Sequence, residues 1–328
     1  MKMNGTVGRG LNALNAALHV NGVGELNSTK AVTQMSKIWM IPFFVILVVL
    51  IYVGNCIVLV AYCKVKRLRK SNSVMMVQLT VTDLVAGLTL IFQAVTVSYD
   101  YLFEDVHICI LWYALIFFRG MASILSLFMI TVDRYFAITN PLKHMSRNKT
   151  AWFVGVALSI WIPAFVLGFI MPILWHKDWS FEKDKECELP LVIPEIYISW
   201  IVVPFFVINA AGIVFMYIRI EHAQRKSMSR DKHKMAKLSR TVALVLACFF
   251  TCWTPIILML GVHSYTYMNY NPLTLNIRLA LAQLTALNSA VNPVIYVIRY
   301  RQFRKAFLEA VGSKRVRPAS KVTESSAL

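Results

Sequence analysis

Seven long apolar runs determine what this chain can fold into. They cover Ile38–Cys63, Val74–Val97, Ile108–Ile130, Ala151–Trp175, Ile196–Ile218, Thr241–Val262 and Leu279–Val297. A bilayer core about 30 Å thick is crossed by about 20 helical residues, and each run is close to that length. With 58% hydrophobic and only 15% charged residues, the composition excludes an ordinary soluble protein. We therefore expect an all-α integral membrane bundle of seven transmembrane helices.

The distribution of basic residues predicts the orientation of the chain. Lys30 and Lys37 precede the first run, whereas a denser group follows it: Lys64, Lys66, Arg67, Arg69 and Lys70. Basic flanks stay cytoplasmic, so the N-terminus should be extracellular and the C-terminus cytoplasmic. Residues Met1–Lys37 contain no compact signal-peptide core, so the first helix should direct its own insertion. The net charge of +18 then indicates contact with anionic membrane lipid, not with nucleic acid.

The cysteines divide between the membrane and the outer side. Four lie in or beside the apolar runs: Cys56, Cys63, Cys248 and Cys252. Only Cys109 and Cys187 are expected in oxidising surroundings, so we predict a disulfide between them. The outer tail also carries glycosylation sequons at Asn4 and Asn27. Since no metal-ligand spacing and no Cys-x-x-Cys occurs, neither a metal nor a cofactor is expected.

Polar motifs occur on the seven runs in a fixed order. They are Gly54-Asn55, Asp83, Asp133-Arg134-Tyr135, Trp161, Tyr217, Cys252-Trp253-Thr254-Pro255, Asn288-Ser289 and Asn292-Pro293-Val294-Ile295-Tyr296, followed by a basic segment over 301–307. This set resembles the rhodopsin-like G protein-coupled receptors over about Ile38–Val311. The resemblance implies a cell-surface receptor that transmits a ligand signal to a heterotrimeric G protein by rearranging its helices.

The resemblance also assigns roles to individual residues. The switch that reaches the G protein should comprise Asp133, Arg134, Tyr135, Tyr217, Trp253, Pro255, Asn292, Pro293 and Tyr296. In the family the arginine is released on activation, and the sixth helix swings outward about its proline. A polar core should comprise Asn55, Asp83, Arg119, Ser123, Asn288 and Ser289. In the family this cluster holds water and a sodium ion, and the alternative is a cluster that only joins helices.

Arg119 is the most unusual residue, because it lies in the middle of the third run. A charged group at that depth needs a partner, and Asp83 is the only acid expected at a similar depth. We interpret the two as an ion pair that replaces the sodium ion of relatives. The alternative is an Arg119 side chain that extends outward to water or loop acids.

Two positions depart from the family pattern near the switch. Asn209 stands where relatives have a helix-five proline, which places the usual bulge of that helix in doubt. Met235 stands nearest to the acid that locks Arg134 in many relatives. We therefore expect the cross-helix lock to be missing and basal signalling to be appreciable.

The candidate ligand pocket is mostly apolar. By the resemblance it is lined by Gln93, Ile116, Phe117, Gly120, Ile256, Ile257, Leu260, Ala282 and Ala286, with Arg278 near its mouth. Ile116 replaces the aspartate of amine receptors, and no lysine lies between Lys237 and Lys305 to hold retinal. An apolar ligand with an anionic group fits, and so does a peptide resting on the acidic outer loops.

The predicted organisation has four parts. An extracellular tail (1–37) precedes the receptor domain (38–298), an amphipathic membrane-surface helix (299–311) and a cytoplasmic tail (312–328). Tail serines suggest a receptor kinase and arrestin, and the ending Ser326-Ala327-Leu328 resembles a PDZ ligand. The chain shows no nucleophile–base or metal constellation of an enzyme. The alternatives are a multi-span transporter or channel, or a receptor that signals by basal activity without a ligand.

Overall fold

The computed structural model describes residues 40–64, 74–99, 102, 105–146, 148–177, 187, 189–226, 232–266, 272–299 and 304. Seven long helices account for most of them: α1 (Met40–Lys64), α2 (Val74–Ser98), α3 (Val106–Thr139), α4 (149–174), α5 (195–226), α6 (Lys232–Thr266) and α7 (Pro272–Arg299). Each contains a stretch long and apolar enough to cross a membrane. Within these described ranges no residue is in a β-strand, which confirms the all-α expectation.

Most helices extend beyond their apolar runs. α3 begins at Val106, where Asp105 caps it by accepting from the His107 amide (2.8 Å), and continues to Thr139. α6 begins at Lys232, well before the first apolar residues of its run. Backbone hydrogen bonding continues into the polar interface, so an apolar run measures the hydrocarbon thickness and not the helix length.

The polar ends of the chain lie largely outside the described residues. The expected surface helix over 299–311 contributes only Arg299, at the end of α7, and Arg304. Both sequons, the serine-rich tail and the PDZ-like ending are also outside, as are the side chains of Met235 and Arg278.

α3 is the central helix of the bundle, because α2, α4, α5 and α6 all pack against it. The backbones of α3 and α4 approach each other closely, because a Cβ added at Gly168 would lie only 2.7 Å from the Phe118 Cα. α1 approaches α7 in the same way, since a Cβ at Gly54 would meet the Pro293 ring at 2.9 Å. Glycine at these two positions permits close packing in a medium where apolar side chains alone do not drive association.

α4 and α5 each contain a π-helical turn next to a proline. In α4 the turn covers Ala164–Ile170 and follows Pro163, and in α5 it covers Ile198–Val202 and precedes Pro204. Helix five thus contains a wide turn before Pro204, whereas Asn209 occupies the position of the family proline. The nitrogen of Pro204 cannot donate, so the preceding turn loses an α-helical bond and widens. Asn209 donates to the Phe205 carbonyl of its own helix (2.8 Å).

Apolar side chains cover the outside of the bundle, as a lipid-facing surface requires. Leu258 on α6 and Ile208 on α5 are examples, with 63% and 69% of their surface exposed. The interior combines an apolar core around α3 with buried polar side chains on α2, α3 and α7. The candidate site lies along this polar stripe.

Candidate ligand pocket and signalling switch

The polar core joins α1, α2 and α7. Asp83 on α2 is fully buried and accepts from Asn292 Nδ2 at 2.9 Å. Asn55 on α1 donates to the Ile51 carbonyl (2.9 Å) and to the Ser289 carbonyl (3.2 Å). Helices that carry polar groups inside a bilayer must satisfy them against each other, and these bonds do so. Asn55 thus contacts Ser289, and Asp83 contacts Asn292, three residues further along α7.

Several oxygens of this core keep unused acceptor capacity. Among the described residues, Asp83 Oδ1, Ser123 Oγ, Asn288 Oδ1 and Asn292 Oδ1 are buried without a hydrogen-bond partner. Buried polar atoms in native proteins are nearly always satisfied by protein, water or an ion. Asp83 and Asn292 contact each other and each keeps an unused acceptor, which fits the sodium ion and water that the resemblance implies.

The expected ion pair between Arg119 and Asp83 does not form. Arg119 is buried, and its Nη2 instead donates to the Thr285 hydroxyl on α7 at 2.9 Å. Thr285 lies seven residues before Asn292, the partner of Asp83. Two helical turns, about 10 Å, separate the two levels, so the guanidinium lies too far toward the start of α3. The outward-reaching alternative is also wrong, because the side chain points across the bundle to α7.

Trp253 on α6 is packed tightly at the centre of the bundle. It stacks between Phe206 of α5 and Phe249 of its own helix, with ring centroids 5.3 and 5.8 Å apart. Its far edge lies against Gly120 of α3, where an added Cβ would be 2.8 Å from the indole ring. A displaced Trp253 ring would therefore press on Gly120 of α3 or on Phe206 of α5.

Pro255 and Pro293 lie inside α6 and α7, and both helices continue through them. Each proline removes one backbone hydrogen bond from its helix, so each marks a point of reduced stiffness. Pro255 lies two residues from Trp253, so the packed indole is next to this point of reduced stiffness in α6.

A second group of site residues lies near the C-terminal end of α3. We call this end of the bundle the switch end. Arg134 Nη2 lies 3.8 Å from the carboxylate of Asp133, and both side chains are buried. Arg134 and Tyr296 line one small cavity, together with Met75, Met76, Leu127, Ile130, Thr241, Val242 and Val245. Since this cavity lies between α2, α3, α6 and α7, an outward movement of α6 would enlarge it.

His144 is a functional candidate that the sequence did not reveal. It lies in a short helix after α3 (Pro141–Ser146), and its Nε2 is 3.1 Å from Asp133 Oδ1. Asp133 thus interacts with two basic side chains, Arg134 and His144. In a continuous helix His144 would share the face of Asp133 but lie about 16 Å away, so only the turn at Asn140 brings it back.

Two other switch residues each make a contact within their own helix. The Tyr217 hydroxyl donates to Glu221 one turn later on α5 (3.2 Å). Tyr135 is half-buried and packs against Phe136, with ring centroids 5.7 Å apart.

The residues expected to line the ligand pocket differ in burial and in the residues that they contact. Ile116, Ile256, Ile257, Leu260 and Ala282 are half-buried. Phe117 packs edge-on against Tyr197 (5.3 Å), and Gln93 is buried with its Nε2 lacking a partner among the described residues. Ala286 packs instead into a separate cluster with α1 and α2.

A disulfide joins Cys109, near the start of α3, to Cys187, which confirms the predicted pair. The Tyr113 hydroxyl donates to the Cys187 carbonyl (3.4 Å), a second connection between the same segments. We call this end of the bundle the disulfide end. The half-buried apolar residues lie between it and Trp253.

Comparison with known proteins agrees with this geometry. The family model described as 7 transmembrane receptor (rhodopsin family) matches residues 54–296. The histamine H2 receptor of Cavia porcellus is 29% identical over 290 residues, which are 82% of this chain and 79% of that receptor. The D(1C) dopamine receptor of Xenopus laevis is 28% identical over 313 residues, covering 80% and 65% of the two chains. The adenosine receptor A2b of Bos taurus is 25% identical over 282 residues, covering 77% and 83%.

Seven membrane-crossing helices around a buried Asp133-Arg134 pair define the architecture of a membrane receptor. The chain belongs to the rhodopsin family of seven-transmembrane receptors. It is a multi-pass membrane protein and a G protein-coupled receptor, not an enzyme. The transporter alternative is thereby wrong.

Proposed function

We propose that this receptor responds to an apolar ligand that enters at the disulfide end and passes its signal through Trp253 to Arg134. The observation that carries the proposal is the continuous packing between these points. Half-buried Ile256, Ile257 and Leu260 lie within two turns of Trp253 on α6. Trp253 rests on Gly120 of α3, and α3 carries Arg134 at its other end.

The lining favours an apolar ligand over an amine. Ile116 lies where the resemblance places the aspartate of amine receptors, so an ammonium group would find no counter-ion there. The amine and nucleoside ligands named for the related receptors therefore serve as comparison compounds, not as expected agonists. Gln93 offers one polar contact in an otherwise apolar wall.

The disulfide supports an orientation with the N-terminus outside. Disulfides persist in oxidising surroundings, so the disulfide end should face the extracellular space. α1 and α2 each cross the membrane once, so α3 begins on the side where α1 began. The start of α1 therefore lies at the disulfide end, together with the start of α3. The basic group after α1 would then be cytoplasmic, in agreement with its charge.

We further propose the plasma membrane as the location, with an extracellular tail (1–37) glycosylated at Asn4 and Asn27. The receptor domain (38–298) would be followed by a membrane-surface helix (299–311) and a cytoplasmic tail (312–328). Tail serines would be substrates for a receptor kinase and then bind arrestin, and Ser326-Ala327-Leu328 would bind a PDZ domain. These assignments are supported by the sequence alone. A glycosidase-sensitive shift in mass and surface labelling of an N-terminal epitope would test the outer tail.

The central test is nucleotide exchange on G proteins in membranes containing the full-length receptor. The panel should include apolar carboxylates, neutral lipids, peptides, histamine, dopamine and adenosine. We expect apolar carboxylates to activate and the amines to be inactive. Leu260→Ala should weaken the response, whereas its matched control Leu258→Ala, on the lipid-facing side of α6, should not. Activation by an amine, or equal effects of the two variants, would contradict the proposal.

A further inference from the structure

Arg119 places a positive charge in the middle of the bundle with most of its donors unused. Only 3% of its surface is exposed, and its Nη2 donates to Thr285. Its Nε and Nη1 are buried without any hydrogen-bond partner among the described residues. Native structures rarely leave such groups unsatisfied.

The guanidinium cannot relieve this situation by losing its proton, because arginine stays charged in proteins. A threonine hydroxyl supplies a dipole but no compensating charge. Burying an ion without a counter-charge is strongly unfavourable, and the remaining N–H groups add their own desolvation cost. The site therefore calls for an acceptor that carries negative charge.

Asp83 does not fill this requirement. The other described acids, Asp105, Asp133, Glu195 and Glu221, lie near the ends of the bundle, so Asp83 is the one acid in its described middle. Its carboxylate accepts from Asn292, about 10 Å along α7 from Thr285. No ion pair joins Asp83 to Arg119.

Arg119 and its partner Thr285 lie next to residues of the candidate pocket. The Thr285 hydroxyl donates to the carbonyl of Ala282 (2.7 Å), one of the half-buried residues expected to line it. Arg119 directly precedes Gly120, on which Trp253 rests. On α2, Gln93 lies ten residues, about 15 Å, outward from Asp83, and adds a further unpartnered donor nearer the disulfide end.

We infer that Arg119, positioned by Thr285, binds a monovalent anion at the floor of the ligand pocket. The chemistry is that of a single negative charge accepting from a guanidinium: either a free halide ion or the carboxylate of the apolar ligand. The second source rests on the proposed function, because it requires that the pocket admits the ligand; the first does not.

The test measures the melting temperature of the purified full-length receptor in lipid nanodiscs. Chloride is raised from about 10 to about 300 mM at constant sodium and ionic strength, with gluconate as the replacement because this bulky, hydrated anion cannot enter a buried site. In a second series at low chloride, decanoate is compared with decan-1-ol, which has the same chain without the charge. We expect the wild type to gain roughly 3 °C or more from chloride, from decanoate, or from both.

Arg119→Gln should abolish the gain, whereas Arg219→Gln, which removes an exposed arginine of α5, should retain it. Should Arg119→Gln not fold, the double variant Arg119→Gln, Asp83→Asn removes both buried charges and should fold without any anion dependence. A gain from chloride alone assigns the site to a free ion, and a gain from decanoate but not the alcohol assigns it to the ligand. No gain with either anion, or an equal gain in Arg119→Gln, overturns the inference.

The outcome is separable from that of the proposed function. If decanoate stabilises the wild type through Arg119 but does not activate G proteins, the anion site holds and the proposed ligand class fails. If apolar carboxylates activate the Arg119→Gln receptor as well as the wild type, the ligand class holds and its anchoring by Arg119 fails.

Discussion

At the scale of single residues, Gly120 and Trp253 show how little space separates the pocket from the switch. The indole is confined by Phe206 and Phe249, and its far edge lies against the α3 backbone at Gly120. A methyl group added at Gly120 would lie 2.8 Å from the indole and 3.2 Å from the Phe206 ring. Both rings are buried, so an alanine at this position would force at least one of them to move.

Gly120→Ala should therefore raise signalling in the absence of ligand. Overpacking of this kind costs about 1–3 kcal/mol, and the strain falls on the resting position of Trp253. A strain near the lower end would increase the active fraction about threefold or more. Nucleotide exchange normalised to surface expression measures this. Gly155→Ala is the matched control, because an added Cβ there meets nothing within 4 Å; equal basal activity in the two variants would refute the prediction.

The position of Arg119 changes the expectation for sodium. A guanidinium bound to Asp83 would have excluded the ion, whereas the structure leaves Asp83 Oδ1, Asn288 Oδ1 and Asn292 Oδ1 available as acceptors. We now expect that replacing sodium by choline at constant chloride lowers the melting temperature of the wild type by about 3 °C. Asp83→Asn should remove the difference. Asp105→Asn should keep it, because asparagine caps a helix as well as aspartate does. Identical melting of the wild type in both salts would be evidence against a cation at Asp83.

At the scale of secondary structure, the π turn in α4 creates a binding point for α5. The Met171 amide donates to the Val166 carbonyl in the wide turn, and Pro172 has no amide hydrogen. The Leu167 carbonyl is therefore left without a backbone donor, and the Tyr197 hydroxyl of α5 donates to it at 2.7 Å. An irregular helix is tolerated in a membrane only where such a replacement is supplied.

Tyr197→Phe should destabilise the receptor by about 1–3 kcal/mol, because it leaves a buried carbonyl unsatisfied while keeping the ring. The edge-on contact with Phe117 would remain. Thermal unfolding in detergent measures the loss, and Tyr52→Phe, at a partly exposed tyrosine of α1, is the control. A melting temperature equal to that of the control would show that water replaces the hydroxyl.

At the scale of the whole molecule, the disulfide connects Cys109 of α3 to a segment 78 residues further along the chain. The intervening residues include all of α4. Closing a long loop restricts the unfolded chain, which typically stabilises a protein by about 2–4 kcal/mol. The bond also fixes Cys187, eight residues before α5, to the start of α3.

Cys109→Ser should thus reduce surface expression and any ligand response. The matched control is Cys56→Ser, since Cys56 is a free, exposed cysteine on α1. Flow cytometry of intact cells measures expression, and alkylation without reductant reports the state of the two thiols. Free alkylation of both cysteines in the wild-type receptor would contradict the bond.

Much of this protein is determined by its sequence alone. Seven runs of about 20 apolar residues leave the backbone one way to satisfy its hydrogen bonds in lipid, so helix number and class follow directly. The division of the cysteines by compartment predicted the Cys109–Cys187 bond, because only one pair was expected on the oxidising side. The ordered polar motifs indicated the receptor family. Polar residues are costly inside a membrane, so the pattern of those that are present carries information.

The tertiary structure decided what each buried polar side chain contacts. Arg119 and Asp83 were expected to pair, but the depth at which α3 and α2 meet α7 gives them Thr285 and Asn292 as separate partners. His144 reaches Asp133 because of one turn of the chain, and Tyr197 serves a carbonyl freed by a proline on another helix. Sequence periodicity specifies which face of a helix is polar, but a shift of one turn, about 5 Å, between neighbouring helices changes the partner. The depth of one helix relative to its neighbour is set by packing. The unused donors of Arg119, and hence its need for an anion, are therefore apparent only in the assembled bundle.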